Sequence, residues 1–295
     1  MIRVGPAGWS YPDWEGIVVP RRKPPGFHPL RHLARYVECV EVNSSFYRAP
    51  EPAHAKQWVE LVADRARFRF LAKLHRVFTH APLPEREADV RTAVEAFRAG
   101  VAPLHAAGQL AALLVQFPLS FRMAPAALAR LRAIAAHFGD FPLVLEVRHR
   151  SWFDPAPRAE VAAMGYSVAQ IDLPAGPDHP PAGVQASGPI GYLRLHGRNR
   201  AAWFDARAGR DQRYDYLYSP PEIAELAQLA RRLAGQADET YVITNNHFAG
   251  KAVANALELL AALGEDEPLA PGELIDAFPR LRGRVRADGQ QSLFW

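Results

Sequence analysis

Short apolar runs alternate along the chain with longer segments in which apolar residues recur at helical spacing. The apolar runs predict eight strands: Ile2–Gly8, Val37–Asn43, Phe68–Leu74, Leu110–Gln116, Leu143–Arg148, Tyr166–Asp172, Ile190–His196 and Thr240–Asn245. The segments between them predict helices: Leu30–Tyr36, Ala53–Ala63, Glu85–Ala107, Pro125–His137, Arg158–Met164, Pro221–Leu233 and Gly250–Leu263. Strands that alternate with helices in this way favour a parallel sheet.

The number and order of these elements predict an α/β fold, a single (β/α)8 TIM barrel. A doubly wound open sheet is the alternative. The segment Leu173–Pro189 is rich in proline and glycine and shows no helical spacing, so one crossover helix is expected to be short or missing. No linker divides the chain, which predicts one domain, residues 1–278, followed by a flexible arginine-rich C-terminal tail, residues 279–295.

Polar residues interrupt the apolar runs at their carboxyl ends. In VEVNSSFY, residues 40–47, Glu41 and Asn43 are two positions apart, so both face the same side of the strand. The same spacing recurs near the ends of two later strands: Glu146 with Arg148, and Arg194 with His196. In a barrel the active site forms at the carboxyl ends of the strands, so these side chains are expected to meet there.

Single polar residues and aromatic rings belong to the same predicted end of the barrel. The polar residues are Lys73, Gln116, Asp172, Asn245 and Asn246. The aromatic residues expected to contact substrate are Trp9, Tyr11 and Trp152. Rings beside arginines can stack on bases or sugars, although packing of the loops onto the barrel is the alternative for each ring.

Composition narrows the class of protein. Of the 295 residues 49% are hydrophobic and 22% charged, as in globular proteins, and no apolar run reaches the roughly 18 residues that span a membrane. Cys39 is the only cysteine, which excludes an internal disulfide, and the N-terminus shows no secretory signal, so a cytoplasmic protein is expected. The net charge of +4 permits a phosphate-bearing partner. No phosphate-binding glycine loop, dinucleotide fingerprint or nucleophile elbow is present.

These residues predict an enzyme that acts on a phosphate-bearing small molecule or a nucleic acid, with a phosphodiesterase-like hydrolase favoured. Lys73, Arg148 and Arg194 would hold the anion. Glu41, Glu146 and His196 would transfer protons, and the amides of Asn43, Gln116, Asn245 and Asn246 would orient the substrate. A structural ion network, a non-catalytic nucleic-acid-binding protein and a sugar hydrolase or isomerase remain alternatives. The histidines and carboxylates include the ligand types of zinc and manganese, so a divalent metal stays open as a cofactor.

Six segments in order resemble the motifs of the YecE-like family, domain of unknown function seventy-two: GPAGWSYPDW, VEVNSSFYRAP, QFPLSF, LEVRHRSWF, YLRLHGR and NNHFAGKAVANA. The resemblance extends from about Ile2 to Leu263. It implies a TIM barrel and no settled activity. The motif residues that match are Glu41, Asn43, Glu146, Arg148, Arg194, His196, Asn245 and Asn246. Pro6 and Ala7 depart from the hydroxyl residues frequent in the family.

The last residues carry a separate motif. The sequence QQSLF, from Gln290 to Phe294, resembles the short peptide by which bacterial DNA-processing proteins bind the sliding clamp. Gln290 would supply hydrogen bonds, while Leu293 and Phe294 would enter an apolar pocket. The alternative is that these apolar residues pack on the barrel or between subunits.

Overall fold

The computed structural model describes residues 1–82, 86–181, 187–264 and 267–289. The strands are β1 Ile2–Pro6, β2 Cys39–Val42, β3 Arg69–Lys73, β4 Leu110–Gln116, β5 Leu143–Glu146, β6 Tyr166–Val168, β7 Gln170–Asp172, β8 Ile190–Leu195, β9 Glu239–Thr244, β10 Leu269–Ala270 and β11 Arg286–Ala287. The helices are α1 Pro29–Leu33, α2 Pro52–Leu61, α3 Arg76–Thr79, α4 Glu87–Ala106, α5 Pro125–Phe138, α6 Pro155–Ala163, α7 Arg200–Phe204, α8 Arg210–Tyr214, α9 Pro220–Ala234, α10 Lys251–Leu263 and α11 Gly272–Ala277. None of these described helices is long and apolar enough to cross a membrane.

Two parallel sheets form the centre of the fold. One has the strand order β2-β3-β4-β5-β6 and the other β1-β9-β8-β7, and every pair within them is parallel. The prediction of an α/β fold with parallel strands is therefore confirmed. Apart from β7, which is half-buried, the strands of both sheets are largely buried and rich in β-branched residues and leucine, as expected where helices cover the outer surface.

The two sheets approach each other at both edges. On one side Ala7 and Glu41 form an isolated parallel bridge just beyond β1, and the Gly8 amide donates to the Glu41 carbonyl at 2.8 Å. On the other side only Ala169 separates β6 from β7, which pair with different sheets. The predicted strand Tyr166–Asp172 is thus divided. Because the strand ladders belong to two separate sheets, a single closed barrel is not confirmed.

The inward-facing side chains change character along the strands. Their first members are apolar and form one buried cluster that includes Cys39, Leu71, Leu114, Val144 and Tyr192. Two residues further along each of these strands the inward position is polar: Glu41, Lys73, Gln116, Glu146 and Arg194. The lower part of the interior is therefore filled, and polar groups collect above it at the carboxyl ends.

The crossover between β7 and β8 agrees with the prediction, whereas the C-terminal residues do not. The described residues between β7 and β8, 173–181 and 187–189, contain no helix, as expected for that crossover. The tail was expected to extend flexibly from residue 279, but residues 279–289 pack on the domain. Leu281 is fully buried, Arg280 contacts the buried Glu258 at 2.6 Å, and β11 pairs with β10.

Gln290, Leu293 and Phe294 lie outside the described residues, so binding of a sliding clamp stays a prediction.

Candidate functional site

A cavity of about 320 Å³ opens at the carboxyl ends of the strands. Strand ends and the residues just after them supply its polar lining: Asn43, Lys73, Gln116, Arg148, Arg194, Asn245 and His247. Loops supply most of the remaining walls, which include Trp9, Tyr11, Phe46, Tyr47, Arg210 and Tyr214. The structure thus brings together these thirteen polar and aromatic side chains from segments far apart in sequence, as a binding site requires.

Arg194 forms the centre of the floor. Its Nη2 donates to Glu41 Oε1 at 2.6 Å and its Nε to Glu41 Oε2 at 3.0 Å. The Tyr192 hydroxyl donates to the same Oε2 at 2.5 Å. Glu41 is fully buried, and the burial is tolerated because its carboxylate receives three donors. Glu41 therefore holds Arg194 in place from beneath the cavity.

Glu146 is the second carboxylate under the floor and is also fully buried. Arg194 Nη1 donates to its Oε2 at 3.0 Å, while Arg148 donates to its Oε1 from Nε at 2.9 Å and from Nη2 at 2.7 Å. Burial alone would raise the pKa of this carboxyl, but the two guanidinium groups outweigh that effect and hold it well below its usual value. Glu146 is consequently ionised at neutral pH and orients both arginines.

His196 lies below the cavity. The Asn245 amide contacts its Nδ1 at 3.0 Å, and Nε2 lies 3.4 Å from Glu146 Oε1. With Nδ1 accepting from Asn245, the neutral ring carries its proton on Nε2, which makes no hydrogen bond in this structure. Burial lowers the pKa of His196 to about 3, so the ring is neutral at physiological pH. His196 is fully buried and makes no part of the cavity lining.

Lys73 ends β3 and reaches into the cavity. Its Nζ lies 3.9 Å from the centroid of the Phe46 ring. Within the described part of the chain no carboxylate lies within 4.0 Å of this nitrogen. Burial, and then the nearby positive charge of Arg194, lower the pKa of Lys73 to about 7, although Glu41 and Glu146 oppose the change. A substantial fraction of Lys73 is therefore a neutral amine at neutral pH.

The aromatic wall over β1 depends on a glycine. Tyr11 stacks on His247 with ring centroids 4.5 Å apart, and its hydroxyl donates to the Ala7 carbonyl at 2.6 Å. Gly8 has a φ of +87°, and a Cβ there would lie 2.7 Å from the Tyr11 hydroxyl. Gly8 thus permits both the turn after β1 and the close approach of Tyr11.

Three residues predicted to bind substrate lie outside this cavity. Asp172 accepts from Arg198 at 2.6 Å and from the Tyr218 hydroxyl at 2.7 Å. The Trp152 indole donates to a backbone carbonyl at 2.8 Å and its ring stacks on a neighbouring phenylalanine. Asn246 is buried and donates to the Tyr216 carbonyl at 2.8 Å. In this structure these three side chains fix loops and strand ends rather than line the cavity.

Ligand types for a metal are present, but they do not converge. Among the described residues no group of three or more histidine, cysteine, aspartate or glutamate side chains is placed to hold a metal ion. The two carboxylates beneath the floor, Glu41 and Glu146, are already bound by guanidinium groups.

Residues 3–276 match the family described as "Protein of unknown function DUF72". The chain belongs to this family. The resemblance drawn from the six sequence motifs is therefore confirmed over nearly the whole chain.

Relatives of this DUF72 protein support the same assignment. The chain is 29% identical to the UPF0759 protein YunF of Bacillus subtilis over 285 residues. This alignment covers 93% of this chain and 99% of YunF. Among solved structures it is similar to a DUF72 protein of Enterococcus faecalis, with a TM-score of 0.78 and 28% identity over 89% of this chain and 95% of that one. It is also similar to a DUF72 protein of Thermotoga maritima, with a TM-score of 0.73 and 29% identity over 88% of this chain and 97% of that one.

Some site residues of this DUF72 chain were not predicted. Tyr192 is two residues before Arg194 on the same strand, so period-two spacing could have placed it under the floor. Arg210 comes from α8, within the long loop between β8 and α9, and no local pattern in the sequence indicates that this side chain lines the cavity.

Proposed function

We propose that the cavity is the active site of an enzyme that acts on a phosphate-bearing substrate. The observation that carries the proposal is the charge of the lining. Four cationic side chains face the cavity: Lys73, Arg148, Arg194 and Arg210. Among the described lining residues there is no carboxylate. An anionic ligand is the natural counter-charge for such a surface.

Carboxylates outside the lining offset three of these four side chains. Glu41 and Glu146 bind Arg194 and Arg148, and Asp211 lies 3.0 Å from Arg210, which leaves Lys73 as the basic group of the cavity without a paired carboxylate among the described residues. Arg148 uses Nε and Nη2 to hold Glu146, and none of the described contacts occupies its Nη1. Arg148 can therefore donate to a phosphate oxygen while Glu146 fixes its plane.

Lys73 is the group best suited to react. Its pKa of about 7 makes the amine available to accept a proton or attack a substrate near neutral pH. In this proposal Glu41 and Glu146, which the sequence suggested as proton-transfer groups, act as positioning residues for the arginines, and their complete burial and their hydrogen bonds to Arg194 support that role. His196, the third suggested group, is buried below the cavity and contacts Asn245.

The cavity size favours a small ligand or a single flipped nucleotide over a long nucleic-acid groove. At about 320 Å³ it matches the lower range of small-molecule sites. Trp9, Tyr11 and Tyr214 offer ring faces or edges to the uncharged part of the ligand.

Calorimetric titration with phenyl phosphate tests the binding part of the proposal. We expect wild type to bind and Arg148→Met to bind at least about tenfold more weakly, since a charge-assisted hydrogen bond contributes roughly 1.5–3 kcal/mol. Arg132→Met is the matched control, because Arg132 forms an exposed ion pair with Glu160. Absence of binding to wild type at millimolar ligand would refute the proposal.

The catalytic part requires turnover. A mixture of phosphorylated metabolites followed by phosphorus NMR detects a change without a prior choice of substrate, and bis(p-nitrophenyl) phosphate tests the predicted phosphodiesterase activity directly. We expect any turnover to be lost in Lys73→Met. Binding of phenyl phosphate without turnover of any probe would favour the alternative of a non-catalytic binding protein.

A further inference from the structure

We infer that Lys73 is a covalent catalytic residue whose Nζ forms an imine with a phosphate-bearing aldehyde or ketone. The inference rests on the proposed function and names its substrate class. Its basis is the placement of Lys73: at the end of a central strand, facing the cavity, and surrounded by the cations that would hold the phosphate.

The surroundings of Nζ favour an amine over an ammonium ion. Glu41 and Glu146 are the carboxylates that attract its charge, but both accept their hydrogen bonds from guanidinium groups instead. Arg194 and Arg148 repel the charge, and burial opposes it further. On another side Nζ faces the Phe46 ring, which attracts a cation less strongly than a paired carboxylate would. A nucleophilic lysine needs this combination of desolvation and neighbouring positive charge.

The covalent step balances with the substrate and Lys73 alone. The lone pair of Nζ forms a bond to the carbonyl carbon, the carbonyl π bond breaks toward oxygen, and a proton from the amine neutralises that oxygen to give a carbinolamine. The hydroxyl then leaves with the second amine proton as water, and the nitrogen electron pair forms the C=N bond. Amine plus carbonyl gives imine plus water, with no oxidant or reductant. When the imine is protonated, the Phe46 ring at 3.9 Å can stabilise the cation.

The other lysines lack these features. The chain has four: Lys23, Lys56, Lys73 and Lys251. Lys23 faces Glu15 at 3.4 Å, Lys251 pairs with Asp215, and Lys56 is exposed on α2. Lys73 alone among the four lines the cavity. A lysine adduct can therefore be assigned to one residue by peptide mass.

Borohydride trapping tests the inference. The full-length protein is incubated at pH 7 with glyceraldehyde 3-phosphate, reduced with sodium borohydride, and digested for mass spectrometry. We expect one stable adduct on Lys73 and at least a tenfold lower yield on each other lysine. Glyceraldehyde without its phosphate should label Lys73 at least tenfold less, and phenyl phosphate should compete. Lys73→Arg should give no adduct at this position.

The phenyl phosphate titration distinguishes failure of the imine at Lys73 from failure of the proposed function. Binding of phenyl phosphate by wild type without an adduct on Lys73 would overturn the imine and leave the proposed function standing. Equal labelling of the four lysines, or equal labelling by the aldehyde with and without phosphate, would also overturn it. No binding of phenyl phosphate would remove the proposed function itself. Peptide mapping of wild type decides the site even if Lys73→Arg does not fold.

Discussion

Arg194 binds two fully buried carboxylates at once, Glu41 through two nitrogens and Glu146 through a third. Buried ion pairs often contribute little net stability, because desolvating the charges offsets their attraction. Here the two carboxylates fix the orientation of the Arg194 guanidinium group from below, and Arg194 itself lines the cavity. Removing one partner is a different matter, because it leaves the other charge buried and uncompensated.

The first prediction follows for Glu146→Gln. This variant leaves Arg148 and Arg194 with one carboxylate between them, so we expect the free energy of unfolding to fall by roughly 3–5 kcal/mol. Urea denaturation followed by circular dichroism measures the change. Glu160→Gln is the control, since Glu160 forms an exposed ion pair worth about 0–1 kcal/mol. Equal effects in the two variants would contradict the buried network.

The second prediction concerns Lys73 and pH. Its pKa is about 7 in the folded protein and near 10.4 when unfolded, so between these values the unfolded state binds more protons. The stability of wild type is therefore expected to rise with pH across this window relative to Lys73→Met. Below pH 7 Lys73→Met should have a free energy of unfolding higher than that of wild type by at most roughly 5 kcal/mol. Water in the cavity that hydrates the ammonium group of wild type would make this difference smaller. Unfolding midpoints of both proteins at pH 6 and pH 9 test this; a constant difference would refute the lowered pKa.

The sequence allows the side chains that face the interior to be predicted, but not what they contact. Period-two spacing correctly places Glu41, Glu146 and Arg194 on one side of their strands. It cannot show that the carboxylates contact arginines beneath the cavity, because this contact depends on how strands distant in sequence are shifted along their axes relative to one another. The same limit explains Asp172, which ends its strand as predicted yet contacts Arg198 outside the cavity.

At the scale of elements, the apolar pattern locates most strands and helices within a few residues. The division of Tyr166–Asp172 is missed because both halves are equally strand-like, and only pairing with different neighbours separates them. The packing of residues 279–289 is missed for another reason. Arginine and glycine there suggest an exposed tail, whereas Arg280 meets the buried Glu258 and Leu281 enters the core.

The third prediction tests the edge where the two sheets meet. Gly5 of β1 packs against the backbone of β2, and a Cβ at this position would lie 1.8 Å from the Cys39 carbonyl oxygen. Gly5→Ala must therefore push β1 and β2 apart, and we expect a loss of at least about 2 kcal/mol in unfolding free energy. Gly272→Ala, with no atom within 4 Å of its added carbon, should stay within about 0.5 kcal/mol of wild type. Chemical denaturation compares them, and a neutral Gly5→Ala would disprove this contact.

At the scale of the whole molecule, the proposals make anion affinity depend on the protonation of one lysine. Two other titratable groups of the cavity have shifted pKa values, and neither shift brings a change of charge into the range from pH 7 to 9. Burial and Arg210 lower the pKa of His247, so its ring is already neutral, and burial raises the pKa of Tyr11 to about 12, so its hydroxyl stays protonated. Lys73, with a pKa of about 7, loses its charge across this range.

The fourth prediction is that wild type binds sulfate more weakly as pH rises from 6 to 9. Sulfate keeps its charge over this range, so the change reports the protein alone. Loss of one charged partner should weaken binding by at least about tenfold, since a charge-assisted contact contributes roughly 1.5–3 kcal/mol. Lys73→Met should bind weakly at pH 6 and show a flat profile. Imine trapping should change in the opposite direction, because the amine that no longer attracts sulfate is the form that attacks a carbonyl. A flat sulfate profile in wild type, measured by calorimetry, would remove Lys73 from both roles.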